Sequence, residues 1–229
     1  MGFLKNFQAR KTPTPQMEQV NAAGWVQNPQ ADRRNRAPEK VIDQRTIDKG
    51  LALIESPVIG LPCFPFLLYE VQKEFSRALR HRRNLSIVVF DLQLKHQDRN
   101  GDVRLVPLPE SAALEALYRI KAQKRSFDFL GHYETDLFSL LLPDADPNGT
   151  ARLVARMIES LFATPLPYDI DRNKLHFAFG IAGCPDDGTS VGRLLGAAEY
   201  ALAEALQRGV PLVKYHDITN QRQSCRQAV

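Results

Sequence analysis

Two pairs of charged residues fall within one stretch, Arg125–Pro143, RSFDFLGHYETDLFSLLLP: Arg125 with Asp128, and Glu134 with Asp136. The stretch consists of two apolar runs, Phe127–Leu130 and Leu137–Leu142, around the polar turn Gly131–Asp136. Two such runs separated by a few turn residues predict a β-hairpin. The second run is apolar at nearly every position, which suits a strand in the middle of a covered sheet. The tip therefore points out of a buried sheet, where a reactive or recognition group would be displayed. Arg125 and Asp128 lie just ahead of the first run. On residue chemistry alone they read as an exposed helix-to-strand ion pair of small energetic value.

The elements that must position this hairpin follow from periodicity. Phe66–His81 carries apolar residues at Leu67, Leu68, Val71, Phe75, Ala78 and Leu79, a helix with one buried face, and ends in the basic run Arg80–Arg83. Leu85–Leu92 is a buried strand with Asp91 near its end, and His96–Pro109 is expected to be a polar loop. Ser111–Lys124 is the next helix, with Leu114, Leu117 and Ile120 facing inward. After the hairpin, Thr150–Leu161 is a helix capped by Asn148 or Thr150. Leu175–Gly183 is a strand, and Thr189 or Ser190 caps a helix that runs to Arg208, where Gly209 ends it. Leu212–Tyr215 is a last strand. The pattern by itself gives an α/β fold.

Four separated motifs add a family resemblance that covers about residues 56–216. The hairpin resembles the signature of the GGDEF (diguanylate cyclase) family: Arg125-Ser-Phe-Asp128 for R-x-x-D, five residues, then Glu134-Thr-Asp-Leu-Phe138 for G-G-[DE]-E-F and a strand ending Leu141-Leu-Pro143. Ser56-Pro-Val-Ile-Gly-Leu-Pro62 resembles the family's D-x-L-T-G-L-P entry, Asp91 with Gln93 its D-x-D strand, and Phe179-Gly-Ile-Ala182 its S-I-G-I-A strand. The resemblance implies a mixed central β-sheet covered by helices. It also implies that the domain is degenerate. The family's two tip glycines let a nucleotide approach the backbone, and Glu134 and Thr135 stand there instead. Leu137 replaces the fourth, acidic position, and Gln93 the second carboxylate. Leu206 and Val210 replace a lysine and an arginine that hold the triphosphate, each a contact of roughly 1.5–3 kcal/mol. No pattern for the guanine pocket aligns over His96–Pro109.

The expectation is therefore a pseudoenzyme without a cofactor. Its remnant carboxylates Asp91 and Asp136 either bind one magnesium ion weakly or are two exposed acids beside a turn. Arg125 and Asp128 match the family's product-binding motif, to which Arg156 (or nearby Arg152) contributes. An arginine can bond guanine O6 and N7 while an aspartate accepts from N1–H and N2–H. Two functions follow: a signalling or assembly platform that works through protein–protein contacts, or a cyclic di-GMP receptor using Arg125, Asp128 and Arg156.

Composition bounds the remainder. The 229 residues allow one sizeable domain with a tail. No apolar run approaches the roughly 18 residues of a membrane span, and the amino terminus lacks a secretory signal pattern. Cys63, Cys184 and Cys225 are few and far apart, as for reduced thiols in a cytoplasmic protein. Residues 1–50 hold 9 Lys/Arg against 5 Asp/Glu, and the charge of the remainder is balanced. The basic excess thus belongs to the tail and does not argue for nucleic-acid binding. Residues 1–40 are rich in Gln, Asn and Pro and are expected to form a flexible basic arm, whose Phe3, Leu4, Phe7 and Trp25 are candidate anchors for a protein partner. A lead-in helix over 41–55 and a polar C-terminal tail over 217–229 complete the expectation.

Overall fold

The computed structural model describes residues 60–134 and 137–227, with side chains up to 221 and that of Glu134 excepted. All belong to a unit spanning Ala52–Val229. The expected arm over 1–40, the lead-in helix over 41–55, most of the Ser56–Pro62 entry and the tip residues Thr135 and Asp136 lie outside the described residues.

In chain order the elements are α1 (Phe64–His81), β1 (Leu85–Gln97), β2 (Val103–Pro107), α2 (Glu110–Gln123), β3 (Phe129–Glu134), β4 (Leu137–Pro143), α3 (Pro147–Ala163), a 3₁₀ turn (Arg172–Lys174), β5 (Leu175–Cys184), α4 (Val191–Arg208), β6 (Leu212–Lys214) and α5 (Tyr215–Gln227). The strands form one mixed sheet in the order β3-β4-β1-β5-β6, with β2 also paired to β1. Every pair is antiparallel except β5 with β6.

β1 is central. Leu85–Asp91 pair with β4, Gln93–Gln97 continue on the same side with β2, and Leu85–Leu94 pair with β5 on the other. With both edges occupied and both faces covered, the first part of β1 reads as a continuous apolar run. Alternate residues then divide the core. Val88, Phe90 and Leu92 join Leu140, Leu142, Phe179 and Ile181 under α2 and α3. Leu85, Ile87 and Val89 join Leu141, Ala178 and Ala182 under α1 and α4. Phe138, Phe90 and Phe179 lie abreast across three strands, with ring centroids 5.5 and 5.0 Å apart.

Helix docking explains the small residues. α4 lies so close to β5 that a Cβ on Gly180 would stand 2.2 Å from the Ala198 carbonyl oxygen and the Leu202 nitrogen. Ser190 caps α4 by accepting from the Arg193 N–H at 3.3 Å, and Gly209 closes it with φ of 66°, as the sequence predicts. Arg119 on α2 reaches the frayed end of α3, donating to the carbonyls of Leu161, Thr164 and Pro165. Leu161 lies in the last turn of α3, whose carbonyls have no partner within the helix, and Thr164 and Pro165 follow its end.

Four expectations change. His96–Pro109 is not a loop: β1 runs on to Gln97 and folds back through β2, and Asp98 accepts the turn amides of Asn100 and Asp102 at 2.9 and 3.0 Å. α3 begins at Pro147 and is capped by Asp146, not by Asn148 or Thr150, because proline is preorganised for the first helical position. The last strand stops at Lys214. The expected polar tail over 217–229 is helical as far as Gln227, anchored by Ile218, which is buried beside β5 and α4. Among the described residues no helix is long and apolar enough to cross a membrane.

Gly180→Ala is expected to lower the unfolding free energy by about 2–4 kcal/mol, because backbone cannot yield as a side chain does. Gly196 lies on α4 itself, with open space around it. Gly196→Ala is expected to raise stability by ~0.5–1 kcal/mol. Urea unfolding of both variants separates close helix docking from a general intolerance of alanine.

Candidate functional site

Helix α2 ends at Gln123, and the next residues turn sharply into β3. The Asp128 N–H donates to the Arg125 carbonyl at 3.2 Å, while the Arg125 N–H donates to Asp128 Oδ2 at 2.7 Å. Lys124 Nζ donates to the carbonyls of both Arg125 and Asp128, at 3.1 and 2.6 Å. Asp128 is therefore not the exposed ion-pair partner that residue chemistry alone suggests: it is 4% exposed and bonds to main chain. Burial pushes its carboxyl upward, opposed by the Arg125 amide and by the charges of Arg125 and Lys124. The Arg125 guanidinium stands over the ring of exposed Phe127, 5.6 Å from its centroid.

This turn forms one wall of a groove of about 460 Å³ whose other wall is the first turns of α3. Arg125, Asp128, Arg152 and Arg156 all line it, so the three residues singled out in sequence, and the alternative arginine, converge. Arg152 and Arg156 are four residues apart and so share one helix face. Asp146, an exposed residue lining the groove, is held below the usual carboxylate range, first by the Gly149 N–H, then by the Asn148 N–H and the Arg152 charge. Asp144, at the rim, is engaged by Arg83 at 3.1 Å and Arg77 at 3.5 Å. Thr150 also lines the groove. It is buried, and its hydroxyl has no hydrogen-bond partner among the described residues.

The hairpin tip lies at the opposite end of β3 and β4. Asp91 is buried and in register with Leu137 on one side and Ala178 on the other. Asp136 lies outside the described residues. Leu137 packs on the α1–α4 core, and buried Tyr133 donates to the Glu199 carboxylate and meets the edge of Phe64 at 5.1 Å. Gln93 stands across from His176, whose pKa is lowered by burial and then by Lys95. Leu206 is partly buried, Val210 is exposed, and Arg208 between them pairs with Glu204. Among the described residues no group of three or more His, Cys, Asp or Glu side chains is arranged to hold a metal ion.

Comparison with known proteins bears on the domain as a whole. Residues 112–210 match the family model for the diguanylate cyclase GGDEF domain. The chain carries a GGDEF domain. Solved structures share its fold. The isolated GGDEF domain of YfiN (TpbB) from Pseudomonas aeruginosa matches with a TM-score of 0.59 at 21% identity, covering 73% of this chain and 99% of that one. The diguanylate cyclase SiaD of the same organism, solved with its activator SiaC, gives 0.59 at 20% identity over 75% of this chain and 66% of that one. The GGDEF domain of DgcB from Caulobacter crescentus, solved with c-di-GMP, gives 0.59 at 13% identity over 71% and 96%. No curated protein matches the sequence significantly.

Within this GGDEF domain the sequence missed Lys124, Phe127, Thr150 and the Tyr133–Glu199 bond. Lys124 reads as the end of a helix, and its contacts are to main-chain carbonyls, which leave no side-chain pattern. Tyr133 and Glu199 are far apart in sequence and gave no signal of their own.

The raised pKa of Asp128 has a definite sign. A carboxyl that binds its proton more tightly when folded contributes stability at low pH. That contribution is lost as pH rises from the unfolded value through the folded one. The difference in unfolding free energy between wild type and Asp128→Asn, followed by urea titration from pH 3 to 7, is expected to shift against the wild type as pH increases. A flat difference would show that the carboxyl is not desolvated.

Proposed function

We propose that this GGDEF domain is a non-catalytic cyclic di-GMP receptor, with the dinucleotide held by Arg125, Asp128 and Arg156. The convergence of these side chains on one groove carries the reading. Arginine forks suit both the O6/N7 edge of guanine and phosphate oxygens, and an aspartate suits the guanine N1–H and N2–H donors. Exposed Phe127 beside Arg125 adds an aromatic face of the kind on which bases stack. The fold neighbour DgcB was solved with the same dinucleotide.

Loss of cyclase activity is supported by the residue types at the other end. Glu134 and Thr135 place bulk and negative charge where two glycines would admit an anionic nucleotide. Leu137, Leu206 and Val210 supply neither metal ligand nor phosphate partner, and the second carboxylate position is Gln93. Asp91 with Asp136 is a poor donor set for magnesium, which favours several oxygen ligands, so no step is assigned to a metal.

A second reading, a ligand-free platform for a protein partner, is favoured by the exposed aromatic residues Tyr69, Tyr118 and Phe127. Both readings suit a cytoplasmic protein, as its few, widely spaced cysteines suggest.

Calorimetry of the full chain with cyclic di-GMP is expected to give saturable heat. Arg125→Ala is expected to weaken binding by roughly 10–100-fold, the value of one lost charge-assisted contact. No heat from wild type at high ligand concentration would leave the platform reading. Incubation with GTP and magnesium is expected to yield no cyclic di-GMP, and appreciable turnover would overturn the non-catalytic assignment.

A further inference from the structure

We infer that Lys124 is a positioning residue of the arginine groove, its ammonium clamping the two ends of the Arg125–Asp128 turn and thereby fixing where both ligand-facing side chains stand. The inference rests on the cyclic di-GMP reading above and extends it to a residue that does not line the groove.

Lys124 Nζ spans the carbonyl of Arg125 at 3.1 Å and that of Asp128 at 2.6 Å. The two carbonyls are three residues apart, and one ammonium reaches both only while the turn is closed. A lysine just past a helix end would ordinarily bond the last helical carbonyls or extend into water. Here it reaches forward across the turn and becomes partly buried. Burial lowers its pKa, and the charge of Asp128 opposes that shift. The ammonium also lies close enough to Asp128 to favour the buried carboxylate's charged form, the form that accepts from guanine.

The remaining contacts do not make the clamp redundant. The Arg125 N–H to Asp128 Oδ2 bond and the Asp128 N–H to Arg125 carbonyl bond link the same two residues, but each belongs to the turn itself. Lys124 adds a tie from the end of α2. A turn held closed before the ligand arrives pays no ordering cost on binding, which is how preorganisation raises affinity.

The test uses the full chain in three forms: wild type, Lys124→Met, which keeps the stem but loses the donors, and Lys124→Arg, which keeps charge and donors. Binding of cyclic di-GMP is measured by calorimetry, global stability by thermal unfolding, and the ligand-free Arg125 and Asp128 amides by hydrogen exchange. The inference expects Lys124→Met to weaken binding about tenfold and to speed exchange at both amides, with little change in the melting temperature. Lys124→Arg should restore most of the affinity. Wild-type affinity in Lys124→Met overturns the inference and leaves the receptor reading intact. A silent wild type sinks the receptor reading. Unchanged amide exchange in Lys124→Met would refute the clamp whether or not the dinucleotide binds.

Discussion

Strand β1 has neighbours on both edges from Leu85 to Asp91 and helices over both faces of that part. Leu85 is in register with Pro143 and Cys184 at one end, and Asp91 with Leu137 and Ala178 further along. The main-chain groups of that part are taken up on both sides, and a shift of one residue would turn Ile87 and Val89 to the wrong side of the sheet. The register of β1 therefore sets where β4 starts and stops, and with it both ends of the β3–β4 hairpin. The arginine groove and the hairpin tip are the two ends of that hairpin. β3 is 6 residues long, which places them about 20 Å apart at the usual strand rise.

That separation lets the residues at the two ends differ independently. Beside the tip, Leu137 joins the α1–α4 core and Tyr133 bonds Glu199. These contacts stabilise the fold and ask nothing of a ligand. The groove end rests on the same β-strands but is built from a turn and the first turns of α3. Groove and core are separable because buried residues such as Phe90 and Phe179 do not line the groove.

What could be read from the sequence follows the same division. Helices with a buried stripe, such as α1 with Leu67, Val71, Phe75 and Ala78, announce themselves because burial repeats with the helical period. β1 and β5 do so as apolar runs. The β2 ribbon is not legible because it buries no face: Val103 and Leu105 are apolar but exposed, and they pair with the polar Gln97 and Lys95 of β1. α5 was missed because one buried side chain, Ile218, sets no period. In the groove, Arg125, Asp128 and Arg156 were legible through a motif spacing. The burial of Asp128 was not, because it depends on how the turn folds back against β3.

The groove contains a residual electrostatic conflict that the fold alone does not need. Arg152 and Arg156 are like charges one helical turn apart, an arrangement that costs roughly 0.2–0.5 kcal/mol on an exposed helix. Arg125 faces them across the groove. Asp146 offsets part of this field, but its carboxylate is already engaged in capping α3 through the Asn148 and Gly149 amides. Asp144 is drawn toward Arg83 and Arg77. A surface selected only for stability would intersperse opposite charges here. An anion seated among the three guanidiniums would turn mutual repulsion into attraction, and would do so most strongly at low ionic strength, where exposed charges interact over the longest range.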